Sequence, residues 1–343
     1  MKPLSIFRTL SMGIPARLSA SPAVAPLPII TPFYLHHLTA ELVTLSPPTV
    51  SDQHWLCHAL DASINTQKKA LESLKSTTIG DVLYRQESSR KSIEEYLDDG
   101  SIKLLDSCNE VLEKIQVIQE FVKSLKVVSH LLHQGKCEPS PITSARARNM
   151  LEETCNVMAR RMSEDMKNHK SRSGWSSLKK LSSRKKLAHY GSANNQDMGE
   201  LGEILKASMD VASMVFQVLG LALSSKSSKH SLITSQYKPI ITSSWSCSLR
   251  ELQNQVEKEN DHQEGEKRSP AMLSELQQTM ALVGELRRKN HIGAKRQREV
   301  VEELDRSCGK LEDEIRILEK RVRDLYRHLV SIRMALLGIL SRP

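Results

Sequence analysis

The sequence is poor in the residues from which β-sheets and catalytic loops are built. Aromatic residues make up 4% of the 343 residues and glycine occurs 14 times, whereas strands favour aromatic and β-branched residues between glycine-rich turns. The sequence contains neither the glycine-rich loops that bind nucleotide phosphates nor the serine elbow or HExxH motif of hydrolases. The composition therefore predicts an all-α protein that is not an enzyme, with no catalytic residue and no cofactor.

The cysteines are scattered rather than paired, which argues against a disulfide framework and against a CxxC-type zinc site. Cys108 and Cys308 fall on apolar helix faces, where a free thiol behaves as a small hydrophobe. We predict a reduced, intracellular protein, with the cytoplasm as the favoured compartment, and no metal site. Two groups combine histidine and cysteine, the residue types that bind zinc, but neither has the CxxC spacing of a zinc site: His54, Cys57 and His58, and His130, His133 and Cys137.

The net charge of +9 is moderate, so it allows attraction to phosphate groups or anionic lipid without requiring either. Basic residues concentrate in a predicted loop at residues 167–196, with no acid between Asp165 and Asp197. We interpret it as a solvated loop, with contact to an anionic membrane surface as the main alternative; a nuclear-import patch and nucleic-acid binding are less favoured. Its tightest group comprises Lys179, Lys180, Arg184, Lys185 and Lys186.

Residues 1–50 differ in composition from the rest of the chain. Proline recurs through them, and Lys2, Arg8 and Arg17 are the only charged residues before Glu41. This composition predicts a disordered, Pro- and Ser-rich segment that can be deleted without loss of the fold. The alternative is a transit peptide for a plastid, because transit peptides are rich in Arg and Ser and poor in acids.

The strongest pattern is an apolar seam in the last 40 or so residues, where apolar residues recur at alternating spacings of three and four. A helix with this pattern presents one continuous apolar face, which must pack against another helix. Charged residues of both signs flank the seam, so they do not enforce one parallel partner. Its members are Val301, Leu304, Cys308, Leu311, Ile315, Leu318, Val322, Leu325, Leu329, Ile332, Leu336 and Ile339.

The remaining helices are predicted from the same periodicity. They span about 51–75, 79–97, 101–133, 143–168, 198–223, 248–260 and 272–340, with a turn at residues 98–100, a Ser-rich loop at 224–246 and a break near residues 291–293. The uncharged stretch 211–223 is too short to span a bilayer, so we place it in the bundle centre. A second seam is predicted to comprise Ile102, Leu105, Cys108, Leu112, Ile115, Val122, Leu125 and Leu132.

Residues 93–108, IEEYLDDGSIKLLDSC, resemble the L-x-D-G-S-x-x-L-L-D-x-C signature of the BYPASS-like proteins, a plant-specific family of unknown biochemistry. The closing helix and the apolar helix near residues 209–223 are also similar, so the resemblance covers about residues 55–340. It implies an all-helical protein linked to root and shoot development, and it implies no catalytic residue. Residues 1–50 depart from the family's usual Ser/Arg/Pro-rich start. The matching positions are Leu97, Asp99, Gly100, Ser101, Leu104, Leu105, Asp106 and Cys108.

The patterns together predict that residues 51–343 form one elongated antiparallel bundle of long helices with coiled-coil-like packing. Asp98, Asp99 and Asp106 are expected to cap helix ends around Gly100. We expect a monomer, because the seams at 102–132 and 301–339 can bury each other together with the apolar helix. The predicted function is protein binding, with an unknown partner. The alternative is a peripheral membrane adaptor that uses residues 167–186.

Overall fold

The computed structural model describes residues 30–75, 87–133, 140–172, 200–224, 243–265, 272–288 and 294–341. Within these ranges the chain is helical and contains no strand, which confirms the predicted all-α class. A π-helical turn, Tyr96–Gly100, joins the helix that ends at Glu95 to the helix that begins at Ser101. The helices are α1 Ile30–Thr44, α2 Gln53–Lys75, α3 Glu87–Glu95, α4 Ser101–Leu132, α5 Pro141–Arg172, α6 Glu200–Ala222, α7 Ser244–Gly265, α8 Ser274–Arg288 and α9 Ala294–Leu340.

Helix α9 is the central element of the bundle. It has 47 residues, which at the rise of an α-helix makes it about 70 Å long. Its most extensive contacts are with α4 and α2, and α8 packs along its N-terminal half. Every member of the seam predicted from Val301 to Ile339 is buried. The prediction of a continuous buried seam is therefore confirmed.

Polar contacts between helices define their directions. Helix α4 runs antiparallel to α9, because Gln119 Nε2 donates to Glu319 Oε2 at 2.8 Å while Lys126, further along α4, pairs with Glu312. Helix α2 runs parallel to α9, since Asp61 accepts a hydrogen bond from Arg321 Nε at 3.0 Å and Asp52 lies near Glu314. These contacts are partly exposed, so each contributes about 1 kcal/mol or less and mainly fixes the register.

The seam predicted on α4 is confirmed at four of its eight residues, because Cys108, Ile115, Val122 and Leu125 are buried. Ile102 is exposed, and Leu105, Leu112 and Leu132 are only partly buried. Helix α4 packs against α9, α5 and α6 at once, so apolar residues occur around most of its circumference and several seams can be drawn through them. The buried stripe is Leu104, Cys108, Val111, Ile115, Ile118, Val122, Leu125 and Val128.

Helix α6 occupies the centre of the bundle, as its apolar sequence predicted. It contacts α1, α2, α3, α4 and α7. Among the described helices it is one that is long and apolar enough to cross a membrane, over Leu201–Ala222. Because 67% of that window lies buried against other helices, the apolar sequence of α6 is explained by its position in the core.

The prediction that residues 1–50 form a disordered segment is wrong for residues 30–50. Helix α1 places Tyr34, Leu38 and Leu42 in the core, where apolar burial stabilises the bundle. The Trp55 indole N–H donates to the carbonyl of Leu45 at 2.8 Å, which fixes the end of α1 on α2. The helical domain therefore begins at or before Ile30, and residues 1–29 lie outside the described residues.

Two predicted loops are shorter than expected where the structure describes them. Residues 167–172 belong to α5, and residues 244–246 belong to α7. The rest of the basic loop and most of the Ser-rich loop lie outside the described residues. Residues 96–100, predicted to contain a turn, instead continue the helix.

Candidate functional site

The stretch at residues 96–100 is a widened helical turn rather than a break between two helices. The N–H of Ser101 donates to the carbonyl of Tyr96, five residues earlier, which is the hydrogen bond of a π-helix. Gly100 has a φ of −64°, an ordinary helical value. Gly100 therefore does not end a helix, and the acids near it do not cap one. Instead, Asp99 pairs with Lys103 on the next turn, while Asp98 and Asp106 are exposed.

A close approach of α6 explains the glycine in this turn. A Cβ atom on Gly100 would lie 2.5 Å from Met209 Cε and 2.7 Å from Met209 Sδ. Contacts that short do not occur between real side chains, so a larger residue would displace the methionine. The widened turn therefore accommodates α6, and its glycine serves packing rather than a left-handed backbone conformation.

Arg333 of α9 also holds the turn. Its guanidinium donates to the carbonyl of Leu97 and, at 2.7 Å, to the hydroxyl of Ser101. A π turn disturbs the regular carbonyl-to-amide pattern of a helix, so an added donor stabilises it. Arg333 thus connects the sequence signature to the C-terminal end of the chain, a role that the sequence did not reveal.

One sequence signal could have identified Arg333. It is the only Lys, Arg, Asp or Glu residue between Arg327 and Arg342, and a lone charge in an apolar stretch needs a partner. Neither Met209 nor Tyr96 carries such a signal. The Tyr96 side chain is buried, and burial raises the pKa of its hydroxyl above the usual range, with Arg333 acting in the opposite direction.

The signature residues divide into buried residues and residues facing solvent. Leu97, Gly100, Ser101, Leu104 and Cys108 are buried in the bundle. Their positions support a packing role for this part of the signature. Leu105 is partly buried and packs against the core. Asp99 is partly buried and Asp106 is exposed, so these two acids have no core-packing explanation.

The titratable groups at this site are not arranged for catalysis. Burial raises the pKa of the Cys108 thiol well above its usual range, so it stays protonated and unreactive at neutral pH. Burial also raises the pKa of Asp210, which follows Met209, to about 6, and Lys206 partly opposes the shift. Among the described contacts, neither group is paired with a nucleophile or a general base.

We call the contacts of Arg333 with Leu97 and Ser101 the clamp, and exposed apolar residues lie next to it. Met334 directly follows Arg333 in α9 and is 63% exposed, and Leu337, one turn later, is 40% exposed. Ile102 directly follows Ser101 and is 42% exposed. Because Arg333 and Ser101 are hydrogen-bonded, these apolar side chains lie at one level of the bundle. We call Ile102, Met334 and Leu337 the end patch.

The other sequence candidates do not form a site in the described ranges. Cys57 is buried whereas His54 and His58 are exposed, so these three do not present one accessible helix face. His130 and His133 are exposed, and Cys137 lies outside the described residues. Where the structure describes the chain, no three His, Cys, Asp or Glu side chains gather as metal ligands would. The basic group, Lys179, Lys180, Arg184, Lys185 and Lys186, also lies outside the described residues.

Surface depressions offer little for a small molecule. An open groove between α8 and α9 is lined by Gln278, Glu285, Arg288 and Arg296. Arg296 pairs with Glu285 and with Glu299, at 3.3 Å in each case. Small-molecule sites are mostly apolar and enclosed, and this groove is open and lined largely by charged residues. We therefore do not choose it as the candidate binding surface.

Comparison with known proteins gives one match. The family model described as Protein BPS1 matches residues 66–339, about four-fifths of the chain. No curated protein and no solved structure matches the chain. The matched range includes the widened turn, Met209 and Arg333. Helix α1 and the start of α2 lie before it, although both contribute buried residues to the bundle.

Proposed function

Since the chain belongs to the BPS1 family of BYPASS-like plant proteins, we propose that it is a non-enzymatic protein of root and shoot development. It acts by binding another protein, and the binding surface is the end patch. The proteins of this family are not known as enzymes, which agrees with the absence of a catalytic arrangement among the described side chains of the turn. We place it in the cytoplasm and regard it as a monomer before it binds.

The observation that carries this proposal is the exposure of Met334 at 63% next to Leu337 at 40%. Upstream in α9 most solvent-facing positions are charged, and they include Asp313, Arg316 and Lys320, whereas Ile317 is a single exposed apolar residue there. An exposed apolar group on an otherwise charged helix typically marks an interaction surface. The change from charged to apolar occurs where Arg333 connects α9 to the family signature.

The surroundings of the end patch support a preformed binding surface. Arg333 and Met209 hold the widened turn, so the backbone beneath the exposed side chains is packed and hydrogen-bonded. A preformed surface loses less conformational entropy when a partner binds than a flexible one does. The signature residues would then hold the end patch in position, and the end patch would contact the partner protein.

Proximity labelling in plant roots tests the proposal directly. A labelling enzyme is fused to the protein, and the neighbours of the wild type are compared with those of the double variant Met334→Glu, Leu337→Glu. Because both side chains are exposed, the variant should keep the wild-type melting temperature. It should lose the specific neighbours and fail to restore root growth in plants that lack the protein.

The matched control is Ile317→Glu, which changes another apolar residue of α9 with 40% exposure but lies away from the clamp. This variant should retain both the neighbours and the growth function. If the double variant keeps the same neighbours at wild-type protein level, the end patch is not the binding surface and the proposal is wrong.

The alternative is a peripheral membrane adaptor that uses the basic group of residues 179–186. The sequence observation in its favour is the absence of acids between Asp165 and Asp197, because basic clusters bind anionic lipid at about 1 kcal/mol per charge. Vesicle flotation distinguishes the two functions. Binding to anionic vesicles that is lost in the variant K179Q/K180Q/K185Q/K186Q would favour the adaptor, whereas salt-insensitive capture of a protein partner would favour the end patch.

A further inference from the structure

Three chain segments meet at the start of α8. The N–H of Ser274 donates to the carbonyl of Ser51 at 2.9 Å, and the N–H of Leu273 donates to the carbonyl of Ala222 at the same distance. On the other side, the hydroxyls of Thr279 and Ser307 are 2.8 Å apart, which joins α8 to α9. The start of α8 is therefore held by the start of α2, the end of α6 and the middle of α9. We call this the α8 junction.

Carboxyl groups from each side face one another at the α8 junction. Glu314 of α9 lies near Glu275, in the first turn of α8, and near Asp52, which precedes α2. Lys310 is the cation that acts on Glu314, and its Nζ lies 3.9 Å from Glu275 Oε1 while the side chain is largely exposed. The Cys57 thiol of α2 also lies near Glu314. Glu314 and Glu275 thus share one largely exposed lysine, with Asp52 as a third acid near Glu314.

Two buried carboxyl oxygens at the junction lack a hydrogen-bond donor among the described groups. The Oε2 atoms of Glu275 and Glu314 are buried and accept no hydrogen bond from a described group. An ionised carboxylate can only accept hydrogen bonds, whereas a protonated one carries its own donor. Burial, followed by repulsion from Glu275 and Asp52, raises the pKa of Glu314 to about 7. The charged form is therefore the disfavoured form in the folded bundle.

We propose that the α8 junction is a proton-operated latch: it is closed while Glu314 is a neutral carboxylic acid, and ionisation of Glu314 loosens α8 from α2 and α9. This device is separate from the end patch, because Glu314 and Met334 are 20 residues apart on α9, or about 30 Å. The direction follows from linkage. The folded state holds a proton that the open state releases, so the closed state loses stability as pH rises from about 4.5 to about 7 and changes little above that.

Hydrogen exchange of the α8 amides, residues 276–282, tests the latch in the full-length protein. After correction for the intrinsic pH dependence of exchange, local opening in the wild type should increase about sixtyfold from pH 5 to pH 7.5, because the pKa of Glu314 is about 7 in the closed state and 4.5 in the open state. The variant Glu314→Gln keeps a neutral side chain at every pH, so its opening should be nearly independent of pH. The control Glu302→Gln removes an exposed acid from the same helix and should behave like the wild type.

A second measurement does not depend on how a variant folds. The side-chain carboxyl carbon of Glu314, followed by NMR in the wild-type protein, should titrate well above pH 5. Titration near the ordinary value of a glutamate would overturn the proposal. So would a Glu314→Gln variant whose α8 amides keep the wild-type pH dependence, since the proton would then act elsewhere.

Discussion

Helix α9 has two regions, one before and one after Arg327, whose inner faces are alike but whose outer faces differ in composition. From Val301 to Ile339 its inner residues are apolar and buried without interruption. Its outer face is mostly charged in the first region, as at Asp313 and Arg316 although not at Ile317, and uncharged in the second, as at Met334 and Leu337. In both regions, therefore, the inner residues form the buried core of the bundle.

The difference shows that packing does not explain the outer face of the C-terminal region. A solvated helix gains from charged residues at i, i+3 or i+4, such as Asp313 with Arg316 at 2.7 Å. Met334 and Leu337 cannot form such ion pairs, and their side chains leave apolar surface exposed to solvent. Stability should therefore respond to the inner residues in both regions, and partner binding should respond to the outer residues of the second region alone.

The largest expected effect comes from placing a charge on the inner face. Leu325 is fully buried in the seam, and Leu325→Asp would leave an unpaired charge there. The cost of about 3–5 kcal/mol is comparable with the stability of a whole domain. We expect loss of a cooperative thermal transition, measured by circular dichroism.

The matched variant is Ile317→Asp, which places the same charge on the outer face of the same helix. It should melt within about 0.5 kcal/mol of the wild type. Unchanged helicity and melting temperature in Leu325→Asp would mean that the seam is exposed in the isolated chain and is meant for a second molecule. Sedimentation before and after removal of residues 300–343 would then test for a dimer.

An intermediate effect is expected from Arg333, which belongs to the second region but faces inward. Arg333→Ala removes the donor to the Leu97 carbonyl and the Ser101 hydroxyl, at a cost of about 2 kcal/mol by urea denaturation. Arg327→Ala is the control, because Arg327 is exposed and pairs only with Asp324 in the same helix. Equal losses in both variants would show that the contact between Arg333 and the turn contributes nothing particular.

The smallest expected effect is that of Gly100→Ala. Alanine favours a helix over glycine by about 1 kcal/mol, but its Cβ would displace Met209, and overpacking costs about 1–3 kcal/mol. We expect a net loss of about 1 kcal/mol, whereas in a Met209→Ala background, which lacks the clash, Gly100→Ala should not destabilise the protein further. A Gly100→Ala variant that is more stable than the wild type would show that Met209 moves away without cost.

The final helix could be predicted from the sequence because it has one buried face with no polar interruption. Helix α4 could not, because it is covered on several sides and Ile102 fits a seam that the structure leaves in solvent. The sequence also suggested a turn at Gly100, since an Asp-Asp-Gly run usually marks one. Its actual role depends on Met209, more than one hundred residues away in the sequence.

Helix α1 was missed for a related reason. Prolines surround it and it contains one charged residue, Glu41, so its composition resembled that of a disordered segment. Helix α1 packs most extensively against α7 and α6, which are distant in sequence. Deletion of residues 1–50, which the sequence alone suggested would be harmless, removes Leu38 and Leu42 from the core.

The unbroken seam of α9 also limits how the length of this chain can change. Inserting one residue into an α-helix rotates everything after it by about 100°, which would turn Leu336 outward and Met334 toward the core. An insertion of seven residues, two turns at the spacing of the seam, would preserve the inward face but move Arg333 by about 10 Å from Ser101. The number of residues between the middle of α9 and Arg333 is therefore fixed in two ways. A short insertion would rotate the buried face away from the core, and an insertion that keeps the rotation would separate Arg333 from Ser101.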